Sequence, residues 1–391
     1  MSWPMVKLGD VCTINPRLPK NANPEQEVTF LAMAAVSEKG EISSQETRIL
    51  HETKKGFTYF ERGDVLLAKI TPCFENGKAT LTNNLNTQIG FGSTEFHVLR
   101  AFPDLILPEF IFYLVWNERF RIAAAKEMTG SAGQKRVSTD YLKEYKFYLP
   151  SIFEQEKIVA ALNKGYSIHR KRQQAIKLAD DFLRAKFLEM FGTPANNIHR
   201  FPTGKIRDLV DSVNYGTSAK ASIDSGEYPI LRMGNITYQG GWDFTDLKYL
   251  DLSVKEKDKF LVKEGDLLFN RTNSKELVGK TAVYEENRPM AFAGYLIRVR
   301  PNPIGNNYYI SGYLNSIHGK ITLMNMCKSI VGMANINAQE LQNIEILIPP
   351  KHLQDEYEII YKKIKKGLSI YDKSAMQLQR LASNLSNEYF M

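Results

Sequence analysis

The sequence predicts a mixed α/β (α+β) protein built twice over: two similar globules separated by two long antiparallel helices that form a coiled coil. Three observations predict it. Short apolar runs bounded by Gly, Pro and Asn, such as Val65-Leu66-Leu67-Ala68 and Thr281-Ala282-Val283-Tyr284, read as strands. The Pro-free stretch 154–191 and the C-terminal stretch 357–389 place apolar residues three or four apart, the spacing of one helix face. Finally, the text recurs at an offset of about 200: Gly63-Asp64-Val65-Leu66-Leu67 matches Gly265-Asp266-Leu267-Leu268-Phe269, and Lys164-Gly165-Tyr166-Ser167-Ile168 matches Lys366-Gly367-Leu368-Ser369-Ile370. A period this long repeats whole domains, since solenoid repeats are far shorter.

Taken in order, Val6-Lys7-Leu8-Gly9-Asp10 opens the first half and Gly204-Lys205-Ile206-Arg207-Asp208 the second. Strand-and-turn text follows in each, then an apolar helical run at 109–116 and its counterpart at 308–314. Pro150 and Pro349-Pro350 mark the entries into the long helices, and Gly192-Thr193-Pro194 supplies stop chemistry for the first. These signals divide the chain into a first globule at 1–150, a central helix at 151–192, a second globule at 193–349 and a C-terminal helix at 350–391. At 1.5 Å per residue the run 154–191 spans roughly 55 Å, more than one small domain needs. Its apolar stripe includes Ile158, Leu162 and Leu183, broken by the polar run 169–174; the second helix offers Ile364, Leu368, Leu378 and Leu385 as the covering seam.

Composition narrows the function. The 391 residues suffice for two cores, and a formal charge of +8 favours polyanionic partners through counterion release. Three scattered cysteines, Cys12, Cys73 and Cys327, form neither a disulfide framework nor a CxxC metal site, which points to a reducing cytoplasm. The opening residues lack an apolar signal core and nowhere do eighteen apolar residues run together, so neither export nor a membrane partner is expected.

Catalytic signatures are missing where they would be needed. Gly279-Lys280-Thr281 would need its first glycine at Ser274 to make a phosphate-binding loop. Asn15-Pro16, Asn23-Pro24 and Asn302-Pro303 do not continue as the Asn-Pro-Pro-aromatic motif of an adenine methyltransferase, and the six histidines have no metal-ligand spacing. Donor-rich loops are present instead. Each half carries a Gly-centred loop before its long helix, one at 129–136 with Ser131, Gln134, Lys135 and Arg136, the other at 329–337 with Asn335. Lys69, Thr71, Asn76 and Lys78 crowd one loop, and Arg271, Asn273 and Ser274 its counterpart; Tyr215, Ser218 and Lys220, with Arg232 and Asn235, add two more in the second half. Arg and Asn suit bidentate contact with guanine and adenine. The competing reading of each is a structural turn whose Asn and Gly serve the backbone.

The segments 63–78, Gly92-Ser93-Thr94-Glu95-Phe96-His97-Val98-Leu99, Asn270-Arg271-Thr272-Asn273-Ser274 with Leu277-Val278-Gly279-Lys280-Thr281-Ala282-Val283, and Leu149-Pro150 with Glu154-Gln155-Glu156-Lys157-Ile158 together resemble the specificity subunit of type I restriction-modification systems, over essentially the whole chain. The second helix departs from the pattern at 348–356, where only Gln354 and an acidic flank persist. The resemblance implies two target recognition domains that read a bipartite, asymmetric site on double-stranded DNA. It implies that the chain is not itself an enzyme and needs no cofactor, with S-adenosylmethionine, ATP and Mg held by separate modification and restriction subunits. The helical seam named above then becomes the subunit interface. A coiled-coil assembly adaptor without DNA reading is the alternative, which explains the helices but not two donor-rich globules.

Overall fold

A computed structural model of the chain describes residues 3–131, 133–274, 277–330 and 333–390. These residues form two compact units, one made of residues 1–171 with 374–391, the other of residues 172–373.

Within the first unit, Met5–Lys7 pairs antiparallel with Lys146–Tyr148. A four-stranded antiparallel sheet runs in the order Cys12–Ile14, Phe96–Ala101, Val65–Ala68, Ala79–Leu81. A second four-stranded sheet runs Glu46–Ile49, Glu27–Leu31, Ile89–Gly92, Thr58–Glu61, with one parallel pair between Glu27–Leu31 and Ile89–Gly92. The second unit repeats this plan strand for strand. Thr203–Lys205 pairs with Glu345–Leu347. The sheet Val210–Tyr215, Leu296–Pro301, Leu267–Asn270, Thr281–Val283 matches the first. The sheet Lys248–Leu250, Tyr228–Leu231, Met290–Phe292, Leu261–Val262 matches the second, with its single parallel pair at the same place. The second unit adds a small sheet of Thr272–Asn273, Met333–Asn335 and Lys328–Ile330.

The recurrent Gly-Asp pair explains itself locally. Gly63 and Gly265 turn the chain at φ +95° and +88°, a region L side chains avoid. The next residue, Asp64 or Asp266, is buried and accepts from the backbone N–H three residues back, Glu61 (2.7 Å) or Lys263 (2.9 Å). Its two carboxylate oxygens then take a bidentate pair, from Arg100 (2.8 and 2.8 Å) in one unit and Arg300 (2.7 and 3.1 Å) in the other. A fork-to-fork bond of this kind fixes geometry as well as energy.

The two long helices run Ile152–Phe191 and Lys351–Tyr389. Each is pinned at its first turn by a fully buried glutamine. Gln155 donates to Leu105 O (3.0 Å) and Pro150 O (2.9 Å) and accepts from Leu107 N (2.8 Å). Gln354 donates likewise to Ile304 O (3.0 Å) and Pro349 O (2.8 Å). Ile158 and Leu162 then enter the core of the first unit, alongside Phe390 at the far end of the second helix. In the second unit the helices pack antiparallel: Lys365 bonds Asp180 (2.9 Å), and Tyr357 meets Phe187 and Phe191 edge to face at ring separations of 5.3 and 5.8 Å. Each such aromatic contributes about 1.5 to 3 kcal/mol by burial.

This packing corrects the expected subunit interface. Ile158 and Leu162 are buried because the start of the first helix sinks into the first unit's own core, Leu183 and Leu368 are also buried within this chain, and Ile364 is half-buried. The side chains of Leu378 and Leu385 lie outside the described residues. The helices instead expose Phe153, Leu178, Phe182, Leu188 and Ile359. Among the described residues, no helix is long and apolar enough to cross a membrane.

Candidate nucleic-acid interface

Both units build one backbone frame at the end of the same two strands. In the first, Lys69 N donates to Glu95 O (2.9 Å) and Lys69 O accepts from Val137 N (2.9 Å). In the second, Arg271 N donates to Tyr295 O (3.1 Å) and Arg271 O accepts from Ile336 N (2.9 Å). Three segments distant in sequence thus converge in each unit, and the Gly-centred loop is one of them.

What hangs on the frame differs. In the first unit Arg136 reaches both oxygens of Glu95 (2.9 and 3.0 Å), which holds the Glu95 carboxyl below its usual range. Thr71 N donates to Lys135 O (3.0 Å) while Thr71 Oγ1 donates to Glu75 (2.8 Å). Ser131, Gln134 and Lys135 stand exposed beside them. Beneath lies His97, buried, with Nε2 at 2.9 Å from Val137 O and Nδ1 at 3.2 Å from the Asn15 amide. Burial pushes this imidazole below its ordinary value. The carbonyl contact makes Nε2 the protonated nitrogen and Nδ1 the acceptor.

In the second unit the Arg271 guanidinium lies 4.8 Å from the centre of the Tyr215 ring, and its Nη2 donates to Asn335 Oδ1 (3.3 Å). The Tyr215 hydroxyl accepts from Ala338 N (2.9 Å), and Asn273 Oδ1 accepts from Ser274 N (2.9 Å). Next to Tyr215, Gly216 is required by close approach: a Cβ there would stand 2.3 Å from the carbonyl oxygens of Phe292 and Ala293. The exposed Ser218 and Lys220 belong to the loop that follows, and Ser218 lines a groove of about 510 Å³ with Glu256, Lys259 and Phe260.

Four of the expected residues lie elsewhere. Asn76 donates to Glu38 (2.9 Å) and Lys78 to Met33 O (3.4 Å), so both serve the turn at 33–38. Arg232 bonds the Asp246 carboxylate (2.8 Å). Asn235 is a correction: it is buried, accepts from Arg232 N (2.8 Å) and donates to Asp243 O (2.8 Å) and Asp246 O (3.0 Å). Its amide is spent on closing a turn and has no face left for a ligand. Glu95 and Tyr295 were missed as rim residues, although aligning the two halves at an offset of 200 sets them opposite one another. Among the described residues no group of three or more His, Cys, Asp or Glu could hold a metal ion.

The family described as type I restriction modification DNA specificity domain matches at residues 2–178 and again at 200–384. The chain belongs to this family. Both matches coincide with the two copies of the sheet plan, so each copy is one specificity domain. Specificity subunits of the type I restriction enzymes EcoAI and EcoEI of Escherichia coli are 31% and 32% identical over 273 residues, 68% of this chain but 46% and 45% of theirs. These matches therefore span about half the length of the curated relatives. Among solved structures, the type I restriction-modification S subunit from M. genitalium aligns over 100% of this chain and 96% of its own at 14% identity, with a TM-score of 0.63. A chain from a study of type I system assembly and conformational transition aligns over 99% and 97% at 20% identity, with a TM-score of 0.56. Both share the fold of this chain.

Proposed function

We propose that this chain is the DNA sequence-recognition subunit of a type I restriction-modification complex, acting in the cytoplasm and itself without catalytic activity. It reads a bipartite, asymmetric site on double-stranded DNA and scaffolds the modification and restriction subunits, which hold S-adenosylmethionine, ATP and Mg. One observation carries the reading: a single backbone frame is built twice and presents different polar groups each time, Lys69, Glu95 and Arg136 in one unit and Arg271, Tyr295 and Asn335 in the other. Two readers of one architecture and unlike chemistry suit two unlike half-sites. The excess of basic residues favours the phosphate backbone, which positions a reader without informing it. The exposed apolar side chains of the long helices offer a surface for the modification subunits.

The test is a mobility-shift titration of the chain with its modification subunit, on duplexes carrying the motif found by methylome sequencing of the host and on scrambled duplexes. Tight binding of the motif alone is expected. Equal binding of both duplexes would leave only the assembly-adaptor reading.

A further inference from the structure

We infer that the second unit reads a guanine through Arg271, and that Tyr215 is the residue that positions it. This rests on the DNA-recognition reading above and adds to it the identity of one base.

Arg271 has an environment suited to presenting a charge. Elsewhere in this unit, Arg232 and Arg300 are each tied to a carboxylate. Arg271 has no such ion pair among the described residues: its cation rests on the Tyr215 ring at 4.8 Å. Stacking of this kind holds a guanidinium flat while leaving its edges open. The Nη2–Asn335 Oδ1 bond at 3.3 Å fixes rotation within that plane, and among the described residues buried Nε has no hydrogen-bond partner. One hydrogen of Nη2 and both hydrogens of Nη1 are left to donate, and the Nη1–Nη2 end is where two of them form a fork.

A donor-only fork of fixed spacing selects its base by elimination. Guanine places two acceptors, O6 and N7, side by side in the major groove. Adenine offers N7 beside an N6 amino donor, which opposes the fork, and the pyrimidines offer no such pair. Tyr215 is itself held by three restraints: its place in the strand Val210–Tyr215, the Gly216 backbone pressed against Phe292 and Ala293, and the Ala338 N–H donating to its hydroxyl. The shelf is therefore set before DNA arrives. The first unit has Lys69 at the equivalent place, and its rim arginine, Arg136, is paired with Glu95, so the two units do not read the same base in the same way.

The experiment uses the full chain with its modification subunit and the methylome-defined duplex. Each guanine of the second unit's block is replaced in turn by 7-deazaguanine, which lacks the N7 acceptor. One replacement, which removes one of the two acceptors and leaves O6, is expected to weaken binding by part of the about five- to 150-fold that loss of a whole bidentate base contact costs. Arg271→Ala, which loses both bonds of the fork, should weaken the natural duplex further, by about five- to 150-fold, and make the complex indifferent to that replacement. Arg271→Lys, which keeps the charge and can still reach guanine but lacks the planar fork that rests on the ring, should weaken the guanine preference less than Arg271→Ala and make it independent of Tyr215. Tyr215→Ala should reduce the 7-deazaguanine effect, and Tyr215→Phe, which keeps the shelf, should restore it; a merely structural role would not show that rescue. Indifference of the wild type to every replacement would overturn the assignment while leaving motif-specific binding intact, as would an Arg271→Ala complex still as sensitive as wild type. Loss of preference between motif and scrambled duplex in the wild type would instead sink the recognition reading itself.

Discussion

His97 ties the stability of the first unit to pH. Its imidazole is neutral in the fold and its folded value lies below the usual 6.5, through burial first and the nearby Lys69 charge besides, the Val137 carbonyl opposing. The unfolded chain therefore takes up a proton in a window where the folded chain does not. Stability from this residue is fully present above about pH 6.5 and falls as the pH drops toward the folded value. The unfolding midpoint of the wild type should fall more steeply between pH 7 and 5.5 than that of His97→Gln; parallel curves would remove His97 from the account. The same protonation would disturb the Asn15 contact to Nδ1 and with it the frame beneath the first rim. Side chains at this scale were only half legible. Donor-rich loops announced Arg271, Asn335 and Arg136, but sequence cannot tell a spent amide from a free one. Asn235 and Arg271 looked alike as polar residues in turns, and only the positions of Asp243, Asp246 and Tyr215 separate them.

The long helices were the most legible elements, because apolar residues at helical spacing over forty positions leave few other structures. What covers their stripes was not legible. Pattern alone assigned Ile158 and Leu162 to a helix seam, while in the fold they fill the core of a globule. The buried glutamines show why the helices start where they do. Gln155→Ala would strand two carbonyls and the Leu107 N–H around the first turn, at a cost of about 1 to 3 kcal/mol for each group left unsatisfied. A thermal melt should show it as a lowered first-unit transition, and an unchanged melt would mean water replaces all three bonds. The exposed face makes a different expectation. Leu178 and Phe182 stand one turn apart and open to solvent, so Leu178→Asp with Phe182→Asp should leave this chain folded but detach the modification subunit on size-exclusion chromatography. Co-elution of the doubly substituted chain with that subunit would move the docking surface elsewhere.

The duplication was visible as text and is borne out as topology, two sheets and one parallel pair repeated in the same order. Chemistry at the two rims has diverged where the frame has not, which sets an expectation for the target: two short specific blocks of different sequence with unspecified base pairs between them. Methylome sequencing decides it, and a continuous palindrome would defeat the two-reader proposal. Four residues inserted in the polar middle of the first long helix add about 6 Å of helix and should change the tolerated gap while sparing both blocks. The frame itself is held by N–H and C=O groups of Lys69 and Arg271, which every residue but proline can supply in full. Inheritance can therefore rewrite what such a rim presents without renegotiating how the domain folds. A lineage under pressure to recognise new sequences can spend its mutations there, each one a change of vocabulary that leaves the grammar standing.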